Sequence, residues 1–122
     1  MMNGIRKNIA DLLEAVRKNT PLIHHITNYV TVNDVANVTL AIGASPIMAD
    51  AIEEAVDIAS RSSALVLNIG TLNRRTVESM IAAGKRANAL EIPVVLDPVG
   101  AGASHLRNTE TNRIAQEVQI AI

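Results

Sequence analysis

Apolar residues recur at Ile5, Ile9, Leu12, Leu13 and Val16 with three or four positions between turns, which predicts an amphipathic helix over roughly residues 4–18. Thr20-Pro21 breaks it, because proline has no N–H and restricts the residue before it. The pattern then changes to short, nearly continuous apolar runs. Leu22-Ile23-His24-His25-Ile26 reads as a strand that closes on Thr27-Asn28. From Val30 to Ile42 the spacing is helical again, with Val35, Val38 and Ile42 on one side and Gly43 suited to the C-cap. Ala44 to Ala49 reads as a second strand, and Asp50 with Glu53 makes a capping-box-like start for a helix through about Ser60. Ala64-Leu65-Val66-Leu67-Asn68-Ile69 is a third strand that stops at Gly70-Thr71. Asn73 then caps a helix to about Leu90, with Val77, Met80, Ile81 and Ala87 inward. A fourth strand follows Ile92-Pro93 and ends at Asp97. A helix over about Thr109 to Glu117 and the start of a fifth strand, Val118 to Ile122, complete the chain.

Strands and helices alternate throughout, which predicts a layered α/β/α fold with a mostly parallel central sheet and right-handed crossovers. No repeat, linker or low-complexity tract divides the chain, so residues 1–122 read as one domain. It closes on an apolar strand with no helix after it. A parallel sheet needs both faces covered, so the sequence reads as an incomplete, truncated domain. In such a sheet all strand C-termini share one rim, where ligand sites form. The residues arriving there are Thr27-Asn28, Met48-Ala49-Asp50, Asn68-Gly70-Thr71 and Asp97-Gly100-Gly102. Each has a bland explanation: Asn28 and Asn68 as turn formers, Met48 as core filler, Asp50 as a helix cap. The convergence outweighs any one of them, and it requires Met48 and Asp97 to lie on the same rim. After Asp97, Pro98 stiffens the chain, and Gly100 and Gly102 allow backbone conformations closed to other residues. A loop with bare amides beside a carboxylate has room for an anion and a divalent cation together. His24 and His25 are adjacent on a strand and face opposite sides, so they cannot chelate one metal.

Composition narrows the function. The chain is 48% hydrophobic but has one Tyr and no Phe or Trp, so the core is aliphatic and base-stacking platforms are absent. A net charge of −1 without blocks of like charge leaves no electrostatic footprint for nucleic acid or an acidic membrane. Without cysteine there is no disulfide, thiolate ligand or thiol nucleophile. The N-terminus has acidic residues among its apolar ones, unlike a signal peptide, and no apolar run is long enough to span a bilayer. A cytoplasmic protein is expected. Nucleotide motifs fail: no phosphate-binding G-x-x-x-x-G-K-[ST] occurs, and Gly100-Ala101-Gly102 is followed by His105 where a dinucleotide fingerprint needs glycine.

Four blocks in order carry a resemblance: P-L-I-H-H-I-T-N (Pro21 to Asn28), G-A-S-P-I-M-A (Gly43 to Ala49), L-V-L-N-I-G-T-L (Leu65 to Leu72) and V-L-D-P-V-G-A-G-A (Val95 to Ala103). Together they resemble the N-terminal part of hydroxyethylthiazole kinases, thiamin-salvage enzymes of the ribokinase-like superfamily. These phosphorylate the alcohol of 4-methyl-5-(2-hydroxyethyl)thiazole with ATP. The resemblance implies that Met48 lines the thiazole pocket with Asn28, Gly70 and Thr71 nearby. It implies that Asp97 serves Mg²⁺ and the nucleotide phosphates, and that Gly100 and Gly102 shape the loop beside it. It also implies a homotrimer with sites between subunits. The family's catalytic cysteine lies in a C-terminal glycine-rich loop, and this chain has no cysteine. The Arg-Gly-Asn segment that meets ATP is expected just beyond Ile122. The catalytic base is therefore outside these residues, and the chain alone is expected to keep the thiazole side without turnover. A related kinase for another small alcohol, such as a pyrimidine, is the other reading; the Thr-Asn and Ser-Pro-Ile-Met blocks favour thiazole.

Overall fold

Right-handed crossovers explain the layers seen in the computed structural model, which describes residues 2–122. In chain order the elements are α1 (Met2–Asn19), β1 (Leu22–Ile26), α2 (Val32–Ala41), β2 (Ser45–Met48), α3 (Ile52–Arg61), β3 (Ala64–Asn68), α4 (Arg74–Ala89), β4 (Val94–Asp97) and α5 (His105–Glu117). The strands form one sheet in the order β2-β1-β3-β4, and every pairing is parallel. The first crossover runs from β1 outward to β2; the later two run the other way. That places α2 on one face and α3, α4 and α5 on the other. The layered, parallel α/β expectation is met.

Alternation along the strands divides the sheet into a wet side and a dry side. Ile26, Leu65, Leu67 and Val94 pack with Ala55 and Ala59 of α3, Val77, Met80 and Ala83 of α4, and Ile114 of α5. Residues of the other parity, Ile23, Val66 and Val95, are only half-buried. The apolar runs are written for two covered faces; α3, α4 and α5 cover one, and α2 covers the other only in part within residues 2–122. Edge strand β2 carries Pro46, and Ser45 donates its N–H inward to the Pro21 carbonyl at 2.9 Å.

Several local expectations need correction. On α2, Val38 is 62% exposed and Ile42 43% exposed; the helix buries Thr39 instead. The hydroxyl of Thr39 donates to the Val35 carbonyl at 2.8 Å and also meets His25. Helix α1 forms as expected, yet Ile5, Ile9 and Leu12 are exposed and none of its residues is buried. Asp50 does not cap α3: Ala51 is the N-cap without a side-chain bond, and Asp50 pairs with Arg75 at 3.1 Å. Helix α5 starts four residues earlier than its pattern suggests, because the Ser104 hydroxyl accepts from the Arg107 N–H and starts the turn. Residues 118–122 do not form a fifth strand. They run beside β4 with two main-chain bonds, Ala121 N–H to Val94 O and Leu96 N–H to Ile122 O. By contrast, Asn73 caps α4 as read, in a reciprocal box with Thr76, and Gly43 ends α2 with φ of +99°.

Two features make measurable demands on stability. A Cβ at Gly84 on α4 would lie 2.6 and 2.7 Å from the two methyl groups of Val118. Gly84→Ala should therefore destabilise by about 1–3 kcal/mol through overpacking, despite the roughly 1 kcal/mol gain in helix propensity. Chemical denaturation should show that loss, and Val118→Ala should recover most of it.

The second feature is the histidine pair. The Ala49 carbonyl can only accept, so its 2.7 Å contact assigns the proton of His24 to Nε2. Thr39 spends its own proton on Val35, so its 3.3 Å contact with His25 Nε2 assigns the same tautomer there. Both Nδ1 atoms are buried without a partner. Burial lowers the pKa of each ring below 6.5; for His24 the Ala49 bond and Glu54 oppose this, and for His25 the neighbouring His24 adds to it. Between the lowered folded value and 6.5 the unfolded chain binds more protons. Stability is thus complete above 6.5 and declines as pH falls below it. Thermal melts from about pH 7.5 to about pH 5.5 should show this decline, and His25→Gln should flatten it.

Candidate functional site

The loops leaving β1 and β3 part in opposite directions, because β1 leads to β2 and β3 leads to β4. A crevice therefore opens between their C-terminal ends, the usual ligand position of an open parallel sheet. A cleft of about 250 Å³ lies there, with His25, Asn28, Met48, Asp50, Thr71 and Arg75 among its walls. The register brings His25 of β1 beside Met48 of β2. One wall is thus a thioether next to a neutral imidazole, and the exposed Asp50–Arg75 ion pair stands on another.

Asn28 is buried at 7% exposure and all of its polar capacity is in use. Its Oδ1 accepts from the main-chain N–H groups of Val30 and Thr31, both at 2.9 Å, which turns the chain into α2. Its Nδ2 donates to the Thr31 hydroxyl and to Asn68 Oδ1, each at 3.0 Å. Thr71 reaches back across the crevice, where its hydroxyl accepts from the Tyr29 N–H at 3.2 Å. Gly70 does not line the cleft. It sits where a Cβ would come within 2.9 Å of Asn28 Cβ and 3.0 Å of Asn68 Oδ1. Glycine is needed here for close approach between the β1 and β3 loops.

Asp97 is on the same rim but not in the same cleft. Met48 and Asp97 end the two edge strands, three strand spacings apart, or about 14 Å. They are joined through the middle: Asn68 Nδ2 donates to Asp97 Oδ2 at 2.8 Å, while Asn68 Oδ1 receives Asn28. Asp97 is exposed, and among the described residues no hydrogen bond reaches its Oδ1. The glycine loop differs from its expected form in one respect, because most of its amides are not bare. Ala101 donates to Pro98 O, Ala103 to Gly100 O, and Gly102 to Asn108 Oδ1. Gly100 and Gly102 have φ of +73° and +94°, backbone conformations that favour glycine. Among the described residues no group of three acidic or histidine side chains could by itself cage a metal ion. Among the described residues no helix is long and apolar enough to cross a membrane.

Sequence reasoning named Asn68 on the rim without giving it a role, and passed over Arg107. Asn68 is more than a turn former, since it bonds to both Asn28 and Asp97. Arg107, the first-turn arginine of α5, donates to the carbonyls of Ile69, Gly70 and Val99 at 2.7–2.8 Å and ties the β3 loop to the β4 loop. No local pattern announces Arg107, because its partners are main-chain oxygens, two of them 38 and 37 residues away in sequence. Asn68 did carry a signal: an amide ending an apolar strand next to Gly70.

Residues 13–122 match the model of the hydroxyethylthiazole kinase family. The chain is 66% identical over 122 residues to a hydroxyethylthiazole kinase of Clostridium beijerinckii, covering all of this chain and 44% of that protein. It is 64% identical over 121 residues to one of Ruminiclostridium cellulolyticum, covering 99% of this chain and again 44% of the relative. A solved structure of a hydroxyethylthiazole kinase protein from Pyrococcus horikoshii OT3 superposes with a TM-score of 0.88 at 46% identity, over 91% of this chain and 44% of that one. The chain thus spans less than half the length of these relatives. With the family model matched from residue 13 to residue 122 and the fold shared with a solved member, this chain belongs to the hydroxyethylthiazole kinase family.

Proposed function

We propose that this chain supplies the alcohol-binding and cation-binding half of a kinase that transfers the ATP γ-phosphoryl group to the hydroxyl of 4-methyl-5-(2-hydroxyethyl)thiazole. The observation that carries the proposal is the cleft at the β1/β3 crevice, with Met48 and Asn28 in its walls and a hydrogen-bonded path from Asn28 to Asp97. Met48 gives polarisable, adaptable contact to a sulfur-containing ring, and His25 beside it adds a flat, neutral surface. Asn28 and Thr71 hold the β1 and β3 loops together across the crevice and fix its width.

The Asp97 carboxylate fits a role toward Mg²⁺, which favours one or two carboxylates together with phosphate oxygens. One of its oxygens is held by Asn68 and the other receives no bond within residues 2–122. Magnesium, when bound with ATP, neutralises phosphate charge during phosphoryl transfer. The residues here orient the acceptor side of that reaction. Gly100 and Gly102, both at positive φ, turn the loop that follows Asp97. The chain has no cysteine to act as the family's base. By itself it binds the alcohol without transferring phosphate. Association into the family's homotrimer is supported by the exposed Ile5, Ile9, Leu12, Val38 and Ile42 on α1 and α2.

Calorimetry with the thiazole alcohol should show binding by this chain, and a coupled ATPase assay should show no turnover; robust turnover would overturn the half-site reading. Met48→Ala should weaken alcohol binding about tenfold, equivalent to about 1.4 kcal/mol. Gly70→Ala should weaken it at least as much, because the added methyl group drives Asn28 and Asn68 apart. Asp97→Ala should leave alcohol affinity within about twofold, since Asp97 lies about 14 Å from Met48. In a full-length relative, alanine at the equivalent aspartate should abolish magnesium-dependent turnover. Retained turnover there would remove Asp97 from the phosphate chemistry.

A further inference from the structure

We propose that Asn68 is a positioning residue that holds the Asp97 carboxylate in one orientation and couples it electrostatically to Asn28 in the alcohol cleft. The functional meaning of that coupling rests on the reading of the site given above. The coupling itself rests on geometry alone.

Three side chains at or just past the C-terminal ends of three adjacent strands make a directed chain of hydrogen bonds across the rim. Asn28 Nδ2 donates to Asn68 Oδ1 at 3.0 Å, and Asn68 Nδ2 donates to Asp97 Oδ2 at 2.8 Å. The direction of each amide is fixed from outside the chain. Gly70 N–H donates to Asn68 Oδ1 at 2.9 Å, and the N–H groups of Val30 and Thr31 donate to Asn28 Oδ1 at 2.9 Å. A flip of either amide would set donor against donor, so only one polarity fits. In that polarity both amide donors point toward the carboxylate. Amides aligned this way polarise one another, and a charge at one end is felt at the other.

The turn after β3 explains only part of this arrangement. Closing the turn needs Asn68 Oδ1 for the Gly70 N–H. It does not need Asn68 Nδ2, which is the atom that reaches Asp97. An exposed aspartate otherwise samples several rotamers; one charge-assisted bond to Oδ2 selects among them and leaves Oδ1 outward. Positioning of this kind lowers the entropy lost when a cation or phosphate arrives.

A double-mutant cycle tests the coupling in this chain without any ligand. The readout is the Asn28 side-chain NH₂ signal in proton–nitrogen NMR. Asp97→Asn, which removes the charge two residues along the relay, should shift that signal well beyond its line width. In an Asn68→Ala background the same Asp97→Asn change should leave it unmoved. An equal shift in both backgrounds, or no shift in the natural one, overturns the proposal.

A charge exchange provides a second reading should Asn68→Ala fail to fold. Asn68→Asp keeps the acceptor for Gly70 and Asn28 but sets a carboxylate against Asp97. It should lower the thermal midpoint by about 5 °C at low salt. Asp97→Asn added to it restores a donor–acceptor pair in reverse and should recover at least half of that loss. Strictly additive effects would mean that Asn68 only forms the turn, and the proposal fails. Titration with Mn²⁺ separates this idea from the functional one. Site-specific broadening around Asp97 together with an intact cycle supports both. An intact cycle without broadening supports the relay and refutes the cation role of Asp97.

Discussion

In the register that pairs His24 with Leu65 and Ile26 with Leu67, β1 and β3 send their dry residues to the α3–α4 layer and bring Asn28 and Asn68 together just past their ends. A slip of one residue would reverse both results. Leu65 and Leu67 would leave the core, and the two amides would face away from each other. The same pairing locates the crevice, because the chain leaves β1 and β3 in opposite directions. Core and site are therefore consequences of one ladder. The core fixes the register, since burying Leu65 and Leu67 is worth roughly 1.5–3 kcal/mol per side chain.

The rim is assembled by a few groups that serve several segments at once. Asn28 starts α2 through its carbonyl oxygen and meets β3 through its nitrogen. Asn68 closes a turn and holds an acid. Arg107 gathers three carbonyls from two loops. Ion pairs between α4 and α5, such as Arg113 with Glu78, lie on the solvent side and contribute little by comparison. The polar groups that matter for position are those bridging between strands.

How much of this was legible in the sequence follows from the range of each signal. The strands and α4 announced themselves through apolar runs and through Asn73, because those forces act within a few residues. The rim was legible because parallel topology forces strand ends together whatever the side chains do. Asp50 was misread since its sequence spacing to Glu53 imitates a capping box, while a cation 25 residues away, Arg75, takes the carboxylate. Val38 and Ile42 were misread for a similar reason: periodicity shows that a helix has an apolar side but not whether a neighbour covers it. The start of α5 was missed because only Ile114 of that helix is buried, so little hydrophobic period exists to detect.

Pro46 has a further effect at the margin of the sheet. Successive residues of a strand direct their main-chain polar groups to alternate sides. Ser45 bonds inward to Pro21, so the position after it faces outward, where proline offers no N–H. The free border of β2 thus lacks a donor midway along its four residues. An approaching strand from another molecule would find that ladder interrupted, which guards a thinly covered sheet against runaway edge-to-edge polymerisation.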